Sequence, residues 1–202
     1  MQTEAGTPLT SDDSDSAVAA PPPGRVVDPA LQRRCFLVTV ALGSLWVVVD
    51  QLTKIWAERA LAGRDPVSVV GELLQLRLLY NPGAAFSMGT NSTWVFTVLA
   101  SVVVVAIVWQ ARRLGSLAWA VALGLLLGGA AGNLVDRIVR EPGPGRGHVV
   151  DFLALPNFPV FNVADIGITC AAVLIILLAL RGIGPDGSRD GDPAGESTEG
   201  TA

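Results

Sequence analysis

Four apolar blocks dominate this chain: Phe36 to about Trp56, Trp94 to Trp109 with its flanks, Leu117 to about Ile138, and Val160 to Leu180. Each is long enough to cross a hydrocarbon layer of roughly 30 Å, which takes about 20 helical residues. A lone strand in lipid would leave its backbone amides and carbonyls unpaired, so helix is the expected form even through the Val102 to Val105 run. Composition agrees, since half the residues are hydrophobic and only 16% are charged, against about a quarter in soluble domains. The expected fold class is therefore an all-α integral membrane protein: four transmembrane helices, a small extracytoplasmic loop containing β-structure, and disordered tails.

The tails account for the acidic charge. Residues 1 to 34 and 182 to 202 together carry ten of the 18 acids and four of the 14 basic residues, which leaves the middle with ten basic and eight acidic groups. The net charge of −4 thus describes the ends and gives no indication of nucleic-acid binding. Rich in Ser, Asp, Pro and Gly, both ends read as disordered. The expected organisation is a cytoplasmic N-terminal tail at 1–34, a four-helix membrane domain at 35–181 and an acidic cytoplasmic C-terminal tail at 182–202.

Arg33, Arg34, Arg112, Arg113 and Arg181 all fall at junctions on one side, and the positive-inside rule makes that side cytoplasmic. Both termini are then inside, while the connections at about 57 to 91 and 139 to 159 are outside. Ala60-Leu61-Ala62 imitates a signal-peptide cleavage site, but Lys54, Glu58 and Arg59 crowd its approach and the preceding tail is acidic, so an uncleaved first helix is expected. In the first outer connection, Val67 to Tyr80 mixes apolar residues with Glu72, Gln75 and Arg77, which fits one or two short strands at the membrane surface.

Ionisable residues inside spanning helices are costly and usually have a reason to be there. Asp50 and Lys54 share a helix face. They are either an ion pair with Lys54 snorkelling to the interface or part of a site. Asn81-Pro82-Gly83-Ala84-Ala85-Phe86 is a polar turn followed by small residues. At the end of the third block, Gly128, Gly129 and Gly132 permit close packing. Asn133, Asp136 and Arg137 share a face there and either brace the fold or brace a site. Arg137 and Arg140 lie close to Asp136 along the helix, which favours a bracing ion pair for that acid over a shared proton. Asp151, after Val149-Val150, and Asp165, one turn after Asn162, are the strongest chemical signal. If they converge, the two carboxylates share a proton, giving one acid and one base able to activate water against a peptide carbonyl. Fourteen residues of separation leave that convergence to the fold. The single His148 and two isolated cysteines, Cys35 and Cys170, offer neither a zinc cluster nor a disulfide framework, so no cofactor is expected and chelators should leave activity intact. Both cysteines lie within apolar helices, so thiol reagents should do the same.

Five segments in order, Asp50-Gln51-Leu52-Thr53-Lys54, Asn81 through Ser87, Gly132 through Arg137, Val149-Val150-Asp151-Phe152 and Phe161-Asn162-Val163-Ala164-Asp165, make residues 36 to 180 resemble lipoprotein signal peptidase, the bacterial type II signal peptidase. The resemblance implies a four-helix membrane aspartyl protease of the bacterial inner membrane. Its substrate would be a prolipoprotein carrying a diacylglyceryl-modified cysteine, cut on the amino side of that cysteine at the outer face. By the same resemblance Asp151 and Asp165 are the catalytic pair, while Asp50, Lys54, Asn81, Gly83, Asn133, Asp136, Arg137, Asn162 and Ala164 bind substrate or support the site. The partners implied are lipidated precursors and membrane lipid. Both tails fall outside the resemblance, and the loop between the two acids is on the short side for the family, which bears on lid behaviour and substrate clearance. A competing class, a small ion- or proton-binding transport protein, calls for ionisable groups along the whole membrane path, and the inner halves of the four blocks carry almost none. An inactive scaffold of the same fold is argued against by retention of both acids.

Overall fold

The computed structural model describes residues 27–83 and 93–189. Four helices long and apolar enough to cross a membrane run α1 (Pro29–Leu61), α2 (Thr93–Ala111), α3 (Leu117–Val139) and α4 (Val163–Leu180). Between them lie strands β1 (Val67–Val70), β2 (Leu74–Asn81) and β3 (Val149–Ala154). The 18 residues of α4 rise about 27 Å, close to the hydrocarbon thickness. The 33 residues of α1 exceed it by several turns, so its last third extends beside the sheet.

Packing is inside out relative to a soluble bundle. Outward-facing Val105 and Leu180 are 67% and 79% exposed, an apolar surface suited to lipid. The interior depends on close backbone approach. A side chain at Gly128 would meet Trp46 of α1, and one at Gly129 would meet Ala164 and Ile168 of α4, so α3 lies directly against both neighbours. Trp46 closes this contact by donating its indole N–H to the Val163 carbonyl at 3.1 Å.

The connection between α1 and α2 supplies two strands, as its alternation suggested. The third strand was not foreseen, because Val149 to Phe152 reads as a fragment of loop until β2 is there to pair with it. The sheet runs β1-β2-β3, antiparallel throughout, and its register sets Asn81 opposite Val149 and Leu79 opposite Asp151. Past β3 the chain turns through Asn157, which has φ +56°, and returns so that Phe161 pairs with Leu153 by hydrogen bonds of 2.8 and 2.9 Å. Consequently α4 begins at Val163, three residues later than the hydrophobic block.

Two tail boundaries move. Helix α1 starts at Pro29, inside the stretch read as tail, because Asp28 caps it by accepting from the Ala30 amide at 2.9 Å and proline suits the first helical position. After α4, residues 182 to 189 form a turn rather than tail. Gly115 donates to the Pro185 carbonyl at 2.9 Å, the Trp119 indole donates to Ile183 at 2.8 Å, and Asp186 accepts from the Ser188 amide and hydroxyl at 3.0 and 2.6 Å. Gly, Pro and Asp suit tight turns as well as disorder, and an adjoining surface decides between them. Residues 1–26 and 190–202, and Ala84 to Ser87 of the second motif, lie outside the described residues.

Candidate active site

Every charged side chain that is fully buried among the described residues, Asp50, Lys54, Asp136 and Asp151, sits at the end of the bundle that carries the sheet. Lys54 is 0% exposed, so it does not snorkel. Its ammonium meets Asp50 Oδ2 at 2.8 Å, Asp136 Oδ2 at 2.7 Å and Asn133 Oδ1 at 3.0 Å. Three donors thus face three acceptors, as a buried cation requires. Gly132 makes this approach possible, since a methyl there would lie 2.6 Å from Asp50 Oδ2.

Lysine has no acceptor, so Asn133 must turn its carbonyl oxygen toward Lys54 and its amide N–H toward α4. That amide donates to Asp165 Oδ1 at 3.0 Å. The same logic orients the other two asparagines. Asn162 caps α4 in a reciprocal capping box: its Oδ1 accepts from the Asp165 amide at 3.1 Å, and its own backbone N–H donates to Asp165 Oδ2 at 3.1 Å. Its side-chain N–H₂ is left to donate to Asp151 Oδ1 at 2.6 Å and Asn133 Oδ1 at 3.2 Å. Asn81, at the end of β2, accepts from the Gly83 amide at 2.9 Å and therefore donates to Asp151 Oδ2, also at 2.9 Å. Gly83 has φ +105°, and a side chain there would strike Phe96, so this turn needs glycine.

Asp151 and Asp165 are thus brought together, with Asn162 touching both. Both line one cavity of about 500 Å³, a size common for binding sites, together with Asn81, Asn133 and Arg137. Asp151 is 2% exposed, and burial pushes its carboxyl up to about 6 against the amide hydrogen bonds from Asn81 and Asn162 that lower it. Phe158, Val160, Phe161 and Ile166 make the remaining wall largely apolar.

Asp50 and Ala164 stand behind the pair: the Ala164 amide donates to Asp50 Oδ1 at 2.9 Å, tying the start of α4 to α1. Asp136 faces α1, where it receives Lys54, Gln51 Nε2 at 3.1 Å, and the Val150 amide of β3 at 3.3 Å. Its bracing guanidinium is that of Arg140, 2.7 Å away. Arg137 turns instead into the cavity, over the Phe96 ring, and its Nη1 is the buried side-chain nitrogen without a hydrogen-bond partner among the described residues.

Sequence reasoning passed over Gln51, which bridges Asp50, Asp136 and the Gly132 carbonyl at 3.1 Å each. It passed over Glu58 too, which pairs with Arg140. Cys170 lies within apolar α4, as expected, but it also lines the cavity and is exposed, which weighs against indifference to thiol reagents. Helical spacing carried the signal, since Cys170 lies four residues beyond Ile166 on the same wall.

Residues 42–181 match the family described as Signal peptidase (SPase) II. The lipoprotein signal peptidase of Rhodococcus jostii is 48% identical over 179 residues, 89% of this chain and 87% of its own. That of Mycobacterium tuberculosis is 45% identical over 180 residues, covering 89% and 86%. A bacterial membrane enzyme solved by the in meso method at 1.9 Å superposes with a TM-score of 0.63 at 28% identity, over 71% of this chain and 92% of that one. A match across most of the chain, at nearly half identity and with the same helical frame, makes this protein a member of the signal peptidase II family, the lipoprotein signal peptidases.

Proposed function

We propose that Asp151 and Asp165 are the catalytic pair of a membrane aspartic endopeptidase that removes signal peptides from diacylglyceryl-modified prolipoproteins, cutting on the amino side of the lipidated cysteine. The observation that carries this reading is the convergence of the two carboxylates on one cavity, each receiving oriented asparagine N–H donors. Burial raises the Asp151 carboxyl to about 6, well above an ordinary carboxylate, which suits an acid that must give up and regain a proton in each turnover.

In the forward step Asp165 takes a proton from water, the water oxygen bonds to the scissile carbonyl carbon, and Asp151 gives its proton to the carbonyl oxygen. Collapse of the tetrahedral intermediate breaks the C–N bond. The cysteine nitrogen leaves with the proton held by Asp165, and Asp151 recovers its own from the diol. The products are a signal peptide with a new carboxyl terminus and a lipidated cysteine with a free amine. Arg137 offers its unpartnered N–H to a substrate carbonyl, and the apolar wall receives the hydrophobic residues before the cut.

On this reading the chain is a multi-pass protein of the bacterial inner membrane with both termini cytoplasmic and the sheet end outside, in line with the arginines at the junctions. A lipid-anchored substrate confined to the membrane plane then presents its scissile bond at the depth of the pair. The transport alternative is not favoured, because the fully buried charges cluster at one end of the bundle among the described residues. The test is cleavage of a diacylglyceryl-modified precursor by purified protein. Asp151→Asn and Asp165→Asn should each abolish it while the protein stays folded, and near wild-type turnover in either would remove the assignment.

A further inference from the structure

Arg140 and Glu58 lie outside all five segments that carry the family resemblance, yet a continuous chain of polar contacts runs from them to both acids. The Arg140 guanidinium is forked. Its Nε donates to Asp136 Oδ1 at 2.7 Å, while Nη1 pairs with Glu58 on α1. Glu58 is also near Tyr80 of β2, one residue before Asn81: burial first, and then the Glu58 carboxylate, push the Tyr80 hydroxyl above its ordinary value. Asp136 passes the constraint on in two directions. Through Oδ2 it holds Lys54, which fixes the carbonyl of Asn133 and so aims the Asn133 amide at Asp165. The same oxygen accepts from the Val150 amide, next to Asp151.

We propose that Arg140 is a positioning residue for the peptidase reaction, locking Asp136 between α1, α3 and β3 so that Lys54 and Asn133 present Asp165 to Asp151 in working geometry. The fork is what qualifies arginine: one planar group reaches both carboxylates, whereas a lysine ammonium would have to leave one of them or sit between. Charge supports the same role. Asp50, Asp136 and Glu58 share Lys54 and Arg140 as their contact cations, so removing Arg140 deepens the excess of negative charge in the cluster beside the pair. Arg140 is only 15% exposed, at the wall of a second cavity lined also by Glu58, Tyr80, Val139, Pro142 and His148, which keeps the ion pair partly shielded from solvent.

The inference rests on Asp151 and Asp165 being the catalytic pair, and the two can fail separately. Purified Arg140→Gln, Arg140→Lys and Glu58→Gln are compared with wild type for kcat, KM and pH profile on a diacylglyceryl-modified precursor peptide, alongside melting temperature. Arg140→Gln is expected to lower kcat about tenfold or more, as a small misplacement of reacting groups does, with KM within about twofold. Arg140→Lys should fall between, because it keeps the charge and loses the fork. The acidic limb of the profile should move to higher pH in Arg140→Gln. The charged and titratable groups around the pair are Asp50, Lys54 and Glu58 on α1, Asp136 and Arg137 on α3, and Tyr80 on β2, with His148 and Glu141 at the second cavity, and the variant makes this set one charge more negative.

A folded Arg140→Gln with unchanged kcat and unchanged pH profile overturns the inference. So does a loss that lies wholly in the fraction of active molecules, with turnover per active site intact, since that is a structural role alone. Should Arg140→Gln not fold, Arg140→Lys and Glu58→Gln decide by the same two readouts. Activity surviving in Asp165→Asn removes the catalytic reading itself. A dead Asp165→Asn beside an unaffected Arg140→Gln removes only the positioning role.

Discussion

Burial of Asp151 makes a prediction about stability that is separable from catalysis. Its carboxyl is pushed from an ordinary 3.8 to about 6, so the folded protein binds that proton more tightly than the unfolded chain does. The stability associated with the group is fully present below about pH 3.8, declines between there and about 6, and is absent above. The rise corresponds to about 3 kcal/mol, or a melting shift on the order of 10 °C for a chain of this size. Asp151→Asn cannot titrate. Its amide also faces two donors, Asn81 and Asn162, and one donor-donor clash costs about 1 to 3 kcal/mol, but that cost is independent of pH. The measurement is therefore the melting temperature of wild type minus that of Asp151→Asn, in one detergent, from pH 3.5 to pH 8. Subtraction removes most of the titration of the other carboxylates. The difference should fall as pH rises and level off near neutrality, while the variant is inactive throughout. A flat difference, or one that grows with pH, would refute the claim that burial dominates the environment of Asp151.

Four further outcomes are expected. Lys54→Met leaves two buried carboxylates without their shared cation and should destabilise the protein by about 3 to 5 kcal/mol, checked by thermal unfolding in detergent. Asp136→Asn should lower stability or yield while leaving cleavage detectable in whatever folds, because this acid supports the pair without lining the cavity; a stable, wholly inactive variant would promote it into the site. A bulky maleimide on Cys170 should slow cleavage, a small methylthio group should not, and Cys170→Ala should be resistant to both, read by turnover after labelling. A tag placed between Pro142 and Gly147 should be reachable by an impermeant label in intact cells, and a reporter fused after Arg181 should read as cytoplasmic.

The helices were legible because lipid imposes a length and a composition; the cap at Asn162 was not read, because the hydrophobic block runs unbroken past it from Val160. The convergence of Asp151 with Asp165 was not legible either. It depends on β3 pairing with β2 and on Phe161 folding back onto Leu153, both of which are contacts between separate pieces of chain. Similarly, Arg137 and Arg140 are both within one turn of Asp136, and spacing cannot say which one turns toward it. The partner is decided by Glu58, four residues past Lys54, which draws Arg140 to the α1 side and leaves Arg137 for the cavity. Gln51 was in view within a motif, yet nothing in its neighbours along the chain announces three acceptors converging on one amide.

With Asp151 and Asp165 as the proposed catalytic pair, the use of asparagines between the charged cluster and the acids has a physical reason. A pair of carboxylates that must hold one proton between them works only if neither is pinned by a cation at contact distance, since an ammonium 3 Å away favours the ionised form strongly. Lys54 is the cation closest in the chain of contacts, but two carboxylates balance it, and Asn133 stands between it and Asp165. Asn133 passes on direction, because its carbonyl must face Lys54, and it passes on a dipole in place of a full charge. Asn162 and Asn81 do the same for Asp151 with backbone amides as their fixed ends. An Asn133→Asp substitution tests this directly. It keeps the size and the bond to Lys54 but replaces the N–H offered to Asp165 with an oxygen, so activity should fall by about 100-fold or more with little loss of fold, as activity and melting temperature measured together will report.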